Sequence, residues 1–170
     1  MSFRKSLGVG GVIIIAALAL FATMLSRVSI ASIVDCAGGA TRIPAPICKF
    51  WLYSFRGTED DIAEVKDAYG LDLVFDLPDP VEQKRLLAFF IERGADINQK
   101  RGKEGFTALH SAVLDRNAPR IRILREAGAH ADIADNQYQM TPLQLAEHLR
   151  KNHPHDDMQP VIEALTSKAP

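Results

Sequence analysis

Thr107-Ala108-Leu109-His110-Ser111-Ala112 recurs 34 residues later as Thr141-Pro142-Leu143-Gln144-Leu145-Ala146. Just ahead of it, Gly94-Ala95-Asp96-Ile97-Asn98 recurs at the same step as Gly128-Ala129-His130-Ala131-Asp132. Threonine supplies an N-cap hydroxyl, and proline is tolerated at the first helical position because its missing N–H would be unpaired there. The two matches therefore predict a repeating helical unit that stacks on its neighbour through small and aliphatic side chains.

A repeat of about 33 residues with a T-P-L-H-x-A core resembles the ankyrin family, and the resemblance covers about residues 80–167. It implies an all-α fold, a short solenoid of about three helical hairpins, as the repeat domain over residues 58–170. The sequence departs from the family pattern at Ala108, which replaces the usual proline, and at Gln144, which replaces the usual histidine. Members of this family usually bind other proteins, so the resemblance implies a binding module and no enzyme.

Cap residues and helix-ending glycines predict where the helices lie. The first unit is expected to be irregular, because Pro78 and Pro80 forbid a regular helix at the position 34 residues before Thr107. The expected helices run over 58–69 and 80–93, from Thr107, from Asn117, from Thr141 to about Lys151, and from near His155 or Asp156 onward.

An uncharged and almost wholly apolar run extends from Leu7 to Leu25. At about 1.5 Å per residue it would span roughly 28 Å, close to the hydrocarbon thickness of a bilayer. We expect a transmembrane anchor or uncleaved signal over residues 7–25, behind a cytoplasmic stub over residues 1–6. Because Arg4 and Lys5 precede the run, the positive-inside tendency places the remaining chain in the periplasm, held at a bacterial inner membrane by one pass. Cleavage after the small-x-small stretch at 29–31 is the alternative.

Residues 26–57 are expected to form a linker that contains both cysteines, Cys36 and Cys48. If the linker is exported, an oxidising compartment favours a disulfide between them; in the cytosol both would be free thiols. The aromatic run at 50–55 is expected to pack on the first repeat as a hydrophobic cap, with a membrane interface as the alternative.

The charge of the chain argues against nucleic acid as a partner. Without Arg4 and Lys5 the chain has 18 basic and 21 acidic residues, a formal charge of −3. No basic patch of the kind that neutralises phosphates is present.

Motifs for catalysis and for cofactors are also missing from the sequence. It has no G-x-S-x-G turn and no phosphate-binding loop, and no histidine lies in the linker beside the cysteines. We expect no catalytic residue, no cofactor and no metal. The alternative is a metal-binding or enzymatic role for the stretch from His153 to Asp157, although its spacing fits no known zinc pattern.

The resemblance also implies which residues contact a partner, because ankyrin proteins hold partners by their loop tips and by the exposed starts of their inner helices. Carried onto this sequence, those positions are Lys103, Glu104, Phe106, Leu114, Asp115, Gln137, Tyr138, Met140 and His148. The most concrete function is an immunity protein that neutralises a secreted, periplasm-acting toxin encoded nearby, by covering its active site. The alternative in the same class is an adaptor that scaffolds an enzyme of the cell envelope.

Overall fold

The computed structural model describes residues 11–16, 20, 23, 27–153 and 155–167 of the chain. From residue 27 onward, the described part contains eight α-helices and no β-strand, so the all-helical class expected from the sequence agrees with the structure. The helices are α1 (Ile30–Ala37), α2 (Ala45–Phe55), α3 (Glu59–Glu64), α4 (Pro80–Glu92), α5 (Ala108–Leu114), α6 (Ala118–Glu126), α7 (Pro142–Asn152) and α8 (Gln159–Thr166). Between α3 and α4 the chain forms a π-helical turn (Val65–Tyr69) and a 3-10 helix (Gly70–Asp76).

The helices form two rows. Helices α5 and α6 make one hairpin, α7 and α8 make the next, and the hairpins stack so that α5 contacts α7 and α6 contacts α8. The 3-10 helix contacts both α5 and α4, and it therefore takes the place of an inner helix in the first unit. Because each unit buries its apolar face only against a neighbour, the core runs continuously through the stack.

The 34-residue step of the sequence reappears in the backbone hydrogen bonds. The Ala95 N–H donates to the Phe90 carbonyl at 3.0 Å, and the Ala129 N–H donates to the Leu124 carbonyl at 2.9 Å. Both outer helices end at a glycine in the left-handed region, with φ of +97° at Gly94 and +95° at Gly128. The two units are thus built alike at their helix ends.

The first unit is irregular, as Pro78 and Pro80 lead one to expect. The Asp79 carboxylate accepts the Val81 N–H and caps α4, whose first turn then accommodates Pro80. Ahead of these residues the chain tightens into the 3-10 helix, which buries Leu71, Leu73 and Val74. No strand forms in this apolar stretch.

Residues 26–57 differ from the expected linker, because they contain α1 and α2. Cys36 at the end of α1 and Cys48 in α2 form a disulfide with a Cα–Cα distance of 5.7 Å. Ile30, Val34 and Leu52 are fully buried and join the core of the repeats. The two short helices pack against each other, and α1 also contacts the 3-10 helix.

A buried ion pair fixes the join between this N-terminal pair and α3. The Arg56 guanidinium donates to the Asp61 carboxylate and to the Val28 carbonyl, the latter at 2.8 Å. Asp61 also completes a capping box with Thr58 at the start of α3. Burial disfavours the charge on Asp61, but the hydrogen bonds from Arg56 and Thr58 hold its pKa below the usual value.

The membrane anchor expected over residues 7–25 is wrong on this structure. Among the residues it describes, no helix is both long enough and apolar enough to cross a membrane. Residues 11–16 of the predicted segment are helical. Of the remainder of the predicted segment, only 20 and 23 are described. The predicted single-pass location in a bacterial inner membrane depended on that anchor. It is therefore also wrong.

Candidate protein-binding surface

A cavity of about 470 Å³ opens between the inner helices α5 and α7. We call it the interhelix cavity, and its lining is formed by Phe106, Leu114, Gln137, Tyr138, Met140, Leu145, His148 and Leu149. Six of these eight side chains are among the nine partner-binding residues that the resemblance implied. The structure therefore gathers most of that set, which comes from two loops and two helices, around one opening.

The other three residues of the set lie elsewhere. Asp115 lines a second cavity next to the first. Lys103 and Glu104 are exposed in the turn that precedes Phe106, and they line neither cavity. Leu145 and Leu149, conversely, line the interhelix cavity but were not expected there. Their spacing of four residues on α7 was the available signal, since it places both on one helix face.

The apolar side chains at the opening are partly accessible. Tyr138 is 55% exposed and Leu114 is 38% exposed, while Phe106 and Met140 are half-buried. The Gln137 side-chain amide donates to the Tyr138 hydroxyl at 3.0 Å and steadies the ring beside the opening. An aromatic ring and aliphatic groups left accessible beside polar groups form the kind of surface that anchors a partner side chain.

A buried histidine holds one wall of the cavity in place. The His110 Nδ1 accepts the Thr107 N–H at 3.2 Å, so the ring proton is on Nε2, which donates to the Met140 carbonyl at 3.0 Å. Burial lowers the pKa of His110, and the ring is neutral near pH 7. The Phe106 ring stacks on the imidazole with centroids 5.5 Å apart. One side chain thus links the cap of α5 to the loop of the next unit.

A fully buried carboxylate, Asp135, organises the loop that carries the other wall. It accepts backbone N–H groups from Gln137 at 2.8 Å, Tyr138 at 2.5 Å and Met140 at 3.1 Å. Burial opposes the charge, but these three donors and the nearby His110 hold the pKa of Asp135 below its usual value. All three donors belong to residues that line the cavity.

Sequence reasoning missed Asp135. The available signal was an aspartate at the start of a polar loop, which is the typical position of an Asx turn. Asp135 also lies 34 residues after Arg101, and the two loops correspond. Arg101 exchanges two backbone hydrogen bonds with Phe106, whereas in the next unit the Met140 N–H goes to the Asp135 side chain instead.

A second cavity, of about 520 Å³, adjoins the first, and Leu114 lines both. We call it the acidic cavity; its lining is Tyr69, Asp72, Leu73, Phe75, Asp76, Ser111, Leu114, Asp115, Asn117 and Arg120. Three aspartates against one arginine leave its lining with a formal charge of −2. The interhelix cavity, by contrast, is lined by no Asp, Glu, Lys or Arg.

The charges of the acidic cavity are only partly balanced within the chain. The Arg120 guanidinium lies between Asp72 and Asp115, at 2.9 Å from the latter, and Asp72 also pairs with Arg101 at 3.2 Å. Asp72 is therefore compensated from two sides. The Asp115 side chain is 59% exposed, and Asp76 is exposed with no ion-pair partner among the described residues. Two arginines, Arg101 and Arg120, thus face three aspartates, and Asp76 is the carboxylate left without an ion-pair partner among the described residues.

The stretch around His153 does not assemble a ligand set. In the described part of the chain, no group of three or more His, Cys, Asp or Glu side chains is placed to hold a metal ion. Asp156 is paired with Arg116 in an exposed ion pair. His148 accepts from or donates to Asn152 one turn further along α7, at 2.8 Å. These contacts give Asp156 and His148 local partners and bring no further ligands to them.

Comparison with known proteins adds little to this geometry. No family model matches the chain, and no solved structure matches it. A stretch of 85 residues, 50% of this chain, is 38% identical to potassium channel AKT3 of Oryza sativa subsp. japonica. The matched stretch spans 9% of that channel's length. The chain is thus similar to a small part of a much longer protein, and this similarity does not establish its family.

Proposed function

We propose that this chain is a protein-binding module of the ankyrin-repeat type, which holds its partner on the inner row of helices. The partner seats an apolar side chain in the interhelix cavity. The observation that carries this proposal is the convergence of Phe106, Leu114, Tyr138 and Met140, which belong to two successive units, on one accessible opening. A binding mechanism by occlusion follows, because a segment lying across that opening is covered by the module.

The rigidity of the opening supports the same function. The backbone of the loop over 135–140 is held by Asp135, and the Met140 carbonyl is held by His110. A surface that is ordered before binding loses less conformational entropy when the partner arrives, so it gains affinity.

The proposal is tested with full-length protein and the partner captured from the source cells by crosslinking. Leu114→Arg and Tyr138→Ala each alter a partly exposed side chain of the cavity, so neither is expected to prevent folding. Each is expected to weaken the purified complex by about tenfold or more, as truncation of an interface anchor does. Val81→Arg, at an exposed apolar position on α4 that lines neither cavity, is the matched control and should change Kd by less than about twofold.

Two kinds of partner are tested first: a toxin encoded beside this gene, and an enzyme of the same cell. A neutralised toxin loses its activity when one equivalent of the module is added, whereas a scaffolded enzyme keeps its activity in the complex. Captured partners whose affinity is unchanged by both Leu114→Arg and Tyr138→Ala would show that this surface is not the binding site.

A further inference from the structure

The two cavities differ in charge and share a wall, and this contrast bears on the partner. Leu114 separates the uncharged interhelix cavity from the acidic cavity. A polypeptide segment that fills the first opening therefore passes directly beside the second. Its neighbouring side chain meets Asp76, which has no ion-pair partner among the described residues, and Asp115, which shares Arg120 with Asp72.

Given the proposed protein-binding function, we infer that the partner segment carries an arginine or lysine next to its apolar anchor. The anchor, a leucine or an aromatic residue, fills the interhelix cavity. The basic side chain enters the acidic cavity and pairs with Asp76 and Asp115. Charge complementarity of this kind selects among partners and fixes the register of the segment, while the apolar anchor supplies most of the affinity.

The acidic cavity has a further aromatic face for a cation. The chain's own Arg120 covers the Phe75 ring, 4.6 Å above its centroid. Tyr69, 39% exposed, offers a second ring that no cation of the described residues covers. An acidic side chain would instead meet the Asp76 carboxylate, which no cation of the described residues pairs with. Arginine is favoured over lysine, because its planar fork bonds to carboxylates and stacks on rings.

A panel of synthetic nine-residue peptides tests this inference on the full-length protein. Each peptide has a central Leu, Phe or Ala, one Arg, Glu or Ala at one to four positions from the centre, and Gly and Ser elsewhere. Binding is followed by the fluorescence anisotropy of an N-terminal label. Peptides that combine Leu or Phe with Arg should bind about tenfold tighter than the same peptides with Glu. This preference should shrink between about 50 mM and about 300 mM NaCl, because exposed charges are screened by salt.

Matched variants assign the preference to the acidic cavity. The double change Asp76→Asn and Asp115→Asn should reduce the preference for Arg over Glu to less than about threefold, with binding of the Ala-containing peptides unchanged. Asp132→Asn removes the same charge from a side chain that is 89% exposed and lines neither cavity, so it should retain the tenfold preference.

The inference is overturned if Arg and Glu peptides bind equally, if the double variant keeps the preference, or if no peptide binds at up to about 1 mM. These outcomes leave the proposed function standing, because that function is judged on the captured partner with Leu114→Arg and Tyr138→Ala. If those two variants bind the partner as tightly as the native protein, the proposed function fails, whatever the peptides show.

Discussion

Replacing Asp135 tests whether a buried carboxylate holds the loop over 135–140. Its side chain is fully buried and accepts three backbone N–H groups, at 2.8, 2.5 and 3.1 Å. Hydrogen bonds to a charged group contribute about 1.5–3 kcal/mol each, so three would total about 4.5–9 kcal/mol. Desolvation of the carboxylate offsets several kcal/mol of this sum. We therefore expect Asp135→Ala to lower the free energy of unfolding by about 3 kcal/mol, and Asp135→Asn by about 2 kcal/mol.

The pH dependence of this effect has a defined sign. The pKa of Asp135 in the folded protein is lower than that of an unfolded aspartate, about 3.9, so the folded state binds fewer protons in acid. Its contribution is complete above about pH 5, where an unfolded aspartate is also ionised, and is lost as pH falls through the folded pKa. The difference in free energy of unfolding between the native protein and Asp135→Asn should be the same at pH 7 and pH 5. It should become smaller at pH 3. Asp61, whose pKa is also lowered, changes both proteins equally.

The assay is urea unfolding of the full-length protein, followed by circular dichroism, with hydrogen exchange of the loop amides as a second readout. Exchange of the Met140 amide should accelerate in both variants, because its acceptor is weakened or absent. Asp132→Asn, an exposed aspartate in the same connection, is the control and should remain within about 0.5 kcal/mol of the native protein. A loss below about 0.5 kcal/mol for Asp135→Ala, or a gap that does not change at pH 3, would refute the reasoning.

Two further predictions concern the stack and the N-terminal pair. Gly105 has φ +67° and a Cβ there would overlap the Asn136 amide, whereas Gly94 has φ +97° and faces open space. Gly94→Ala should therefore lower the free energy of unfolding by about 1–2 kcal/mol through backbone strain alone, as measured by urea unfolding. Gly105→Ala should lower it by about 1 kcal/mol more, or above, because the added Cβ also meets Asn136. Equal losses for the two variants would contradict the contact between the two loops. Reduction of the disulfide between Cys36 and Cys48, which are 12 residues apart, should lower stability by roughly 3 kcal/mol, seen as a lower Tm in dithiothreitol. The double change of both cysteines to serine should make Tm insensitive to dithiothreitol, and a native Tm that reduction leaves unchanged would show that the bond adds no stability.

Local features of the sequence predicted the helices of the repeats. Thr107, Thr141 and Asp79 cap helices as their positions indicated, since a cap needs only residues three or four apart. Gly94 and Gly128 end outer helices for the same local reason. The helices over 30–55 were missed because Pro44, Pro46 and the Gly38–Gly39 pair indicated turns. In the structure these residues separate two helices or occupy a first turn.

The predicted membrane anchor shows that an apolar composition alone is insufficient to identify a membrane-spanning helix. An apolar run of the right length indicates a membrane span only if it forms one long helix, and no helix in the described residues meets that requirement. The residues that the resemblance implied for partner contact show the opposite case. Six of them converge on one cavity because the 34-residue step places equivalent loops side by side, so a repeat read from the sequence carries three-dimensional information.

The sequence by itself determined the repeat, its register, its helix caps and the residues that stand at the loop tips, because all of these depend on residues close together in the chain. Only the tertiary structure decided that Asp135 is a buried anion and that Asp72 meets both Arg101 and Arg120, which lie 29 and 48 residues away. Burial and long-range charge pairing depend on how the units stack. The local sequence of a polar loop does not distinguish a solvated carboxylate from one that backbone amides enclose.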